Sequence, residues 1–68
     1  MSTTSTYTVT GMTCGHCVAA VTEEISGIDG VESVDVQLET GRVVVVSAAP
    51  LTDEAVRAAV DEAGYALA

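Results

Sequence analysis

Val34-Asp35-Val36-Gln37-Leu38-Glu39-Thr40-Gly41-Arg42-Val43-Val44-Val45-Val46 reads as two strands joined by a tight turn. In its first half Val34, Val36 and Leu38 alternate with Asp35, Gln37 and Glu39, so one face is buried and the other wet. Glu39-Thr40-Gly41-Arg42 supplies the hairpin turn, with glycine where a positive φ is needed. The β-branched run 43–46 suits a strand deep in a sheet. On either side of this hairpin the period changes from two to about 3.6. Upstream, Val18, Val21 and Ile25 recur at helical spacing from about Cys17, and Ser26-Gly27 stops the helix, with Gly27 expected as a left-handed cap. Ile28-Asp29-Gly30-Val31 then turns into the hairpin. Downstream, Pro50 breaks the strand, Thr52 is a good N-cap, and Asp53 and Glu54 suit the positive end of a helix dipole. Ala55, Val56, Ala59, Val60 and Ala63 form that helix's apolar stripe, and Gly64 ends it. Thr6-Tyr7-Thr8-Val9-Thr10 reads as a first strand after a frayed stretch over residues 1–5, and Tyr65-Ala66-Leu67-Ala68 as a short last one. The order is βαββαβ. Its economical arrangement is an α+β ferredoxin-like sandwich, a four-stranded antiparallel sheet with two helices on one face.

Sixty-eight residues make a single small domain over residues 1–68, without room for a large substrate cleft. Hydrophobic residues make up 49% and aromatic ones only 3%, so the core is built from Val, Ile, Leu and Ala. Ten acidic residues face Arg42 and Arg57 with no lysine, a net charge of −8. That balance opposes nucleic acid, where affinity comes from cations on phosphates, and it opposes an anionic membrane surface. The longest apolar run, residues 43–46, is far too short to span a bilayer, so direct membrane insertion is not expected. Residues 1–10 carry neither a basic start nor an apolar stretch, and a cytoplasmic location is the expectation. A thiol pair stays reduced there.

The chemistry sits in Gly11-Met12-Thr13-Cys14-Gly15-His16-Cys17, which holds both cysteines of the chain. A helix that begins near Cys17 leaves N–H groups and partial positive charge beside the sulfurs, favouring thiolate over thiol. Gly15 relaxes the backbone enough for the two side chains to approach. Two thiolates suit a soft monovalent ion such as Cu(I), which accepts near-linear two-coordination, whereas structural zinc wants four donors. His16, the other nitrogen donor nearby, lies between the cysteines where its side chain diverges from their shared face. It is an exposed residue, a tuner of thiol acidity, or a ligand only where two chains share a metal. Met12 is a soft ligand or, at a strand end, a hydrophobic plug. Tyr65 is core, or lies in a loop beside the sulfurs. A redox couple or two buried structural thiols remain open alternatives on spacing alone. The carboxylate pairs Glu23-Glu24, Asp53-Glu54 and Asp61-Glu62 read as solvated helix faces, and no catalytic centre is expected.

The same seven residues, followed by Val18-Ala19-Ala20-Val21, resemble the signature of the heavy-metal-associated domain family, Gly-Met-x-Cys-x-x-Cys at the end of the first strand of a βαββαβ fold. The likeness runs from about Thr6 to Leu67. His16 and the Gly64-Tyr65 pair are similar to the bacterial copper chaperones of that family. The resemblance implies Cu(I) held by Cys14 and Cys17, Met12 as the buried support of the loop, and His16 and Tyr65 as tuners of the site. It also implies delivery to the metal-binding domain of a copper-transporting P-type ATPase by thiolate exchange; a copper-bridged homodimer is a further form open to two chains that share a metal. Rival expectations are the N-terminal domain of such an ATPase, a mercury-binding relative and a thiol-disulfide carrier. Chaperones of eukaryotic type carry docking lysines, and this chain has none.

Overall fold

The computed structural model describes residues 2–12 and 15–68; Met1, Thr13 and Cys14 lie outside the described residues. Strand β1 (Thr3–Thr10) is followed by helix α1 (Gly15–Ser26), strands β2 (Val31–Gln37) and β3 (Arg42–Ser47), helix α2 (Asp53–Glu62) and strand β4 (Ala66–Leu67). The strands form one antiparallel sheet in the order β2-β3-β1-β4. This is the expected ferredoxin-like sandwich.

Register follows from which face each strand buries. Tyr7 pairs with Val43, which pairs with Val36, and Ser5 pairs with Val45, which pairs with Val34. These rungs point to one face. Val43, Val45 and Val9 there meet Val21 and Ile25 of α1 and Val56 and Val60 of α2 in one buried cluster. Thr4, Thr6 and Thr8 alternate onto the opposite, exposed face. Each fully buried aliphatic side chain contributes roughly 1.5–3 kcal/mol by leaving water. Ser47, the buried polar residue, donates its hydroxyl to the Ala49 carbonyl at 2.6 Å, so its burial leaves no unmet hydrogen bond.

Three details differ from the sequence reading. β1 begins at Thr3, and Thr3, Thr4 and Ser5, expected to fray, pair with Ser47, Val46 and Val45; the long β3 ladder orders a stretch that has little apolar character of its own. Leu38 is 37% exposed rather than buried, because β2 ends at Gln37 and the chain turns before its alternation can continue. Gly27 is not a left-handed cap. Its N–H is shared between the carbonyls of Glu23 and Glu24, and Ile28 bonds back to Ile25 at 3.0 Å, so the last turn of α1 tightens instead.

The N-cap of α2 is as expected: the Thr52 hydroxyl accepts from the Ala55 N–H at 3.1 Å, ahead of Asp53 and Glu54 in the first turn. Replacing Thr52 by Ala is expected to cost about 1 kcal/mol, and Val56→Ala about 2–4 kcal/mol through the cavity left in the core. Urea unfolding of the two variants checks both the order and the size.

Candidate metal centre

β1 delivers the chain to the edge of the core and ends at Thr10. Gly11 then turns it with φ +89°, a value side chains rarely adopt, and a Cβ there would also lie 3.5 Å from Cδ1 of Tyr65. Met12 is half-buried and packs against the core cluster, as a hydrophobic plug does. Thr13 and Cys14 fall outside the described residues, so the expected ligand Cys14 does too.

The helix resumes the description at Gly15, two residues earlier than the spacing of its apolar residues indicates. Gly15, His16 and Cys17 form its first turn, where the backbone N–H groups have no helical acceptor and the helix presents its positive end. No acidic side chain occupies that turn to compete for it. Cys17 is only 6% exposed and heads the buried row that continues through Val21 and Ile25, four residues apart on one side of α1. One neighbour away, His16 is exposed. A single turn of helix thus splits the donor-bearing residues Cys17 and His16 between core and solvent.

Tyr65 follows Gly64, whose φ of +93° ends α2, and its N–H donates to the Val60 carbonyl at 3.0 Å. The ring is half-buried, packed on the core cluster and set against Gly11. The ring is therefore core, as one of the two alternatives had it, and is also a neighbour of Gly11. Next to it, Thr10 Oγ1 donates to the Ala66 carbonyl at 3.2 Å, tying the last residue of β1 to β4. The stretch from Val9 to Met12 thus meets β4 and Tyr65 on one flank. Its other flank meets the β2–β3 turn, where the Val9 N–H donates to the Gly41 carbonyl at 2.8 Å. Sequence reasoning missed that second contact; a glycine in the turn was legible, its close approach to β1 was not.

Among the described residues no three His, Cys, Asp or Glu side chains gather as a metal-binding group. A depression of about 400 Å³ beside Thr6, Tyr7, Asp53 and Arg57 includes none of Met12, His16 or Cys17. What the described residues assemble is therefore a stem held by its neighbours at the end of β1 and one thiol rooted in the core.

The heavy-metal-associated domain model matches residues 6–66. The chain belongs to the heavy-metal-associated domain family. Among curated proteins it is 57% identical over 35 residues to the copper chaperone CopZ of Staphylococcus aureus strain Newman, covering 52% of each chain. The chain thus spans about half the length of the curated relatives it matches. Among solved structures, a CopZ metallochaperone superposes with a TM-score of 0.89 at 36% identity, over 97% of this chain and all of that one. Oxidized MerP from Ralstonia metallidurans CH34 gives 0.87 at 36% identity, over 100% and 96% of the two chains. A copper binding domain from HMA7, a P-type ATPase, gives 0.87 at 28% identity over 96% and 89%. In this heavy-metal-associated domain, Gly11-Met12-Thr13-Cys14-Gly15-His16-Cys17 run from the end of β1 into the first turn of α1. No helix among the described residues is long and apolar enough to cross a membrane.

The two glycines of the motif have opposite roles. Gly11→Ala is expected to cost about 1–3 kcal/mol through its positive φ and to shift the Tyr65 ring resonances. Gly15→Ala, in a helix with nothing within 4 Å of the added carbon, is expected to be neutral or to gain about 0.5–1 kcal/mol. Chemical denaturation and proton spectra of the two variants separate these outcomes.

Proposed function

We propose that this chain is a Cu(I) metallochaperone that carries the ion on Cys14 and Cys17 and passes it to the metal-binding domain of a copper-transporting P-type ATPase. The observation that carries this reading is Cys17 in the first turn of α1, at the positive end of the helix, in a turn that contains no acidic residue. Its partner thiol lies three residues earlier in the motif of a domain family whose copper chaperone members share this fold. Two thiolates beside a helix N-terminus form a donor set matched to a soft monovalent ion. The scarcity of further donors among the described residues favours low coordination over a closed tetrahedral site.

Delivery is ligand exchange. A thiolate of the accepting domain bonds to the bound ion while both cysteines of this chain still hold it, giving a three-coordinate state. One copper–sulfur bond to this chain then breaks, and the released sulfur takes a proton. A second incoming thiolate repeats the step. No electron changes hands, and coordination number rises before any bond is lost, so tight binding and rapid transfer coexist. The half-buried Met12 and Tyr65 hold the loop from beneath, and the exposed His16 tunes the solvent side. The same residues suit a copper-bridged pair of chains, and a cytoplasmic setting keeps both sulfurs reduced. The chain transports an ion and is not an enzyme.

The likeness to the HMA7 domain supports a second reading, in which the same domain forms part of an ATPase and receives copper. The direction of transfer between this chain and an accepting domain distinguishes donor from recipient.

In competition against a Cu(I) chelator the chain is expected to bind one equivalent. Cys14→Ser and Cys17→Ser should each lose most of that affinity while keeping the helical and sheet signals of circular dichroism. Undiminished copper retention in both variants refutes the assignment, and weak binding with reversible Cys14–Cys17 oxidation supports a thiol-disulfide carrier instead.

A further inference from the structure

Gly41 is distant in sequence from both cysteines, yet it is buried and packed directly against β1. Its φ is +74°, and its own N–H closes the β2–β3 turn on the Gln37 carbonyl at 2.9 Å. Its carbonyl accepts the Val9 N–H at 2.8 Å. A Cβ at Gly41 would overlap the Val9 carbonyl oxygen far inside van der Waals contact and would touch the Val9 carbonyl carbon at 3.5 Å and nitrogen at 3.7 Å. All three atoms are backbone, which cannot swing aside as a side chain can. Val9 is itself 3% exposed and held in the core, two residues before Gly11 opens the metal loop.

We infer that Gly41 is a positioning residue of the metal centre: the β2–β3 turn clamps Val9, and the clamp fixes the stem from which the cysteine loop projects. The inference rests on the metal-carrying reading above. Binding an ion between two sulfurs demands a set separation and direction, and a loop on a displaced stem must be re-ordered at the expense of binding. β4 and Tyr65 brace the other flank of the stem through Thr10 and Gly11, where an added Cβ would make an ordinary 3.5 Å contact with a side chain, whereas at Gly41 it would strike backbone.

Gly30 supplies the control. It too has a positive φ, +90°, but an added Cβ there meets nothing within 4 Å, and it lies in the turn before β2, where Val31 pairs with Ser47 at the opposite end of the sheet. Gly30→Ala and Gly41→Ala therefore share the strain of a left-handed alanine and differ in the push on Val9. Gly41→Ala is expected to lower Cu(I) affinity by about 10–100-fold, the range found when supporting partners of metal ligands are removed. Its amide resonances should shift at Met12, His16 and Cys17. Gly30→Ala is expected to retain wild-type affinity and to shift only its own turn. Equal Cu(I) affinities in the two variants, with the wild type binding one equivalent, overturn the inference and leave the metal-carrying reading intact; a wild type that binds no Cu(I) removes that reading itself, and this inference with it. Should Gly41→Ala fail to fold, a synthetic chain with an ester in place of the Thr8–Val9 amide deletes the N–H donated to Gly41 and leaves every side chain in place. Unaltered copper retention in that chain overturns the inference equally.

Discussion

The contact on which the molecule depends is the packing of one side of α1 against β2, α2 and the buried valines of the sheet. Val21 and Ile25 are fully buried there against a cluster that includes Val43 and Val45, and Cys17 extends the same row by one turn. The helix cannot rotate to present Cys17 elsewhere without withdrawing Val21 and Ile25, each of which contributes roughly 1.5–3 kcal/mol by its burial. The first turn of α1 therefore has a fixed direction. The Cys17 thiol, in the first turn of the helix, inherits the rigidity of a hydrophobic core.

In the proposed metal-carrying reading, an ion is held firmly and is still reachable by another protein's thiolate. Cys17 in the core row would supply firmness, and its exposed neighbours Gly15 and His16 in the same turn would leave it near solvent. Gly11 makes a sharp turn after β1, and Met12 packs on the core cluster. The stem is braced from both flanks, by Thr10 on Ala66 and by Val9 on Gly41. Nothing in this design calls for a cleft, which a chain of this size could hardly enclose.

Much of this was legible beforehand because local chemistry and tertiary environment agree. The valine-rich hairpin, the Thr52 cap and the Val56–Val60 spacing each have one sensible conformation, and the structure adopts it. Readings failed where tertiary pairing overrode local character. Thr3 to Ser5 form strand because β3 is long enough to pair with them, and Leu38 stands exposed because the turn arrives one residue before its alternation would bury it. The close approach of Gly41 to Val9 joins residues from two strands, and no local pattern encodes it.

By itself, the sequence determined the βαββαβ order, the valine core and the Gly-Met-x-Cys-x-x-Cys motif between β1 and α1, because periodicity, caps and donor spacing are properties of short stretches. Tertiary structure alone decided that Cys17 heads a buried row, that Tyr65 is core and neighbour of Gly11 at once, and that a distant turn closes on Val9. Each of those is a relation between elements, set by how the helices seat on the sheet and how the strands fall into register.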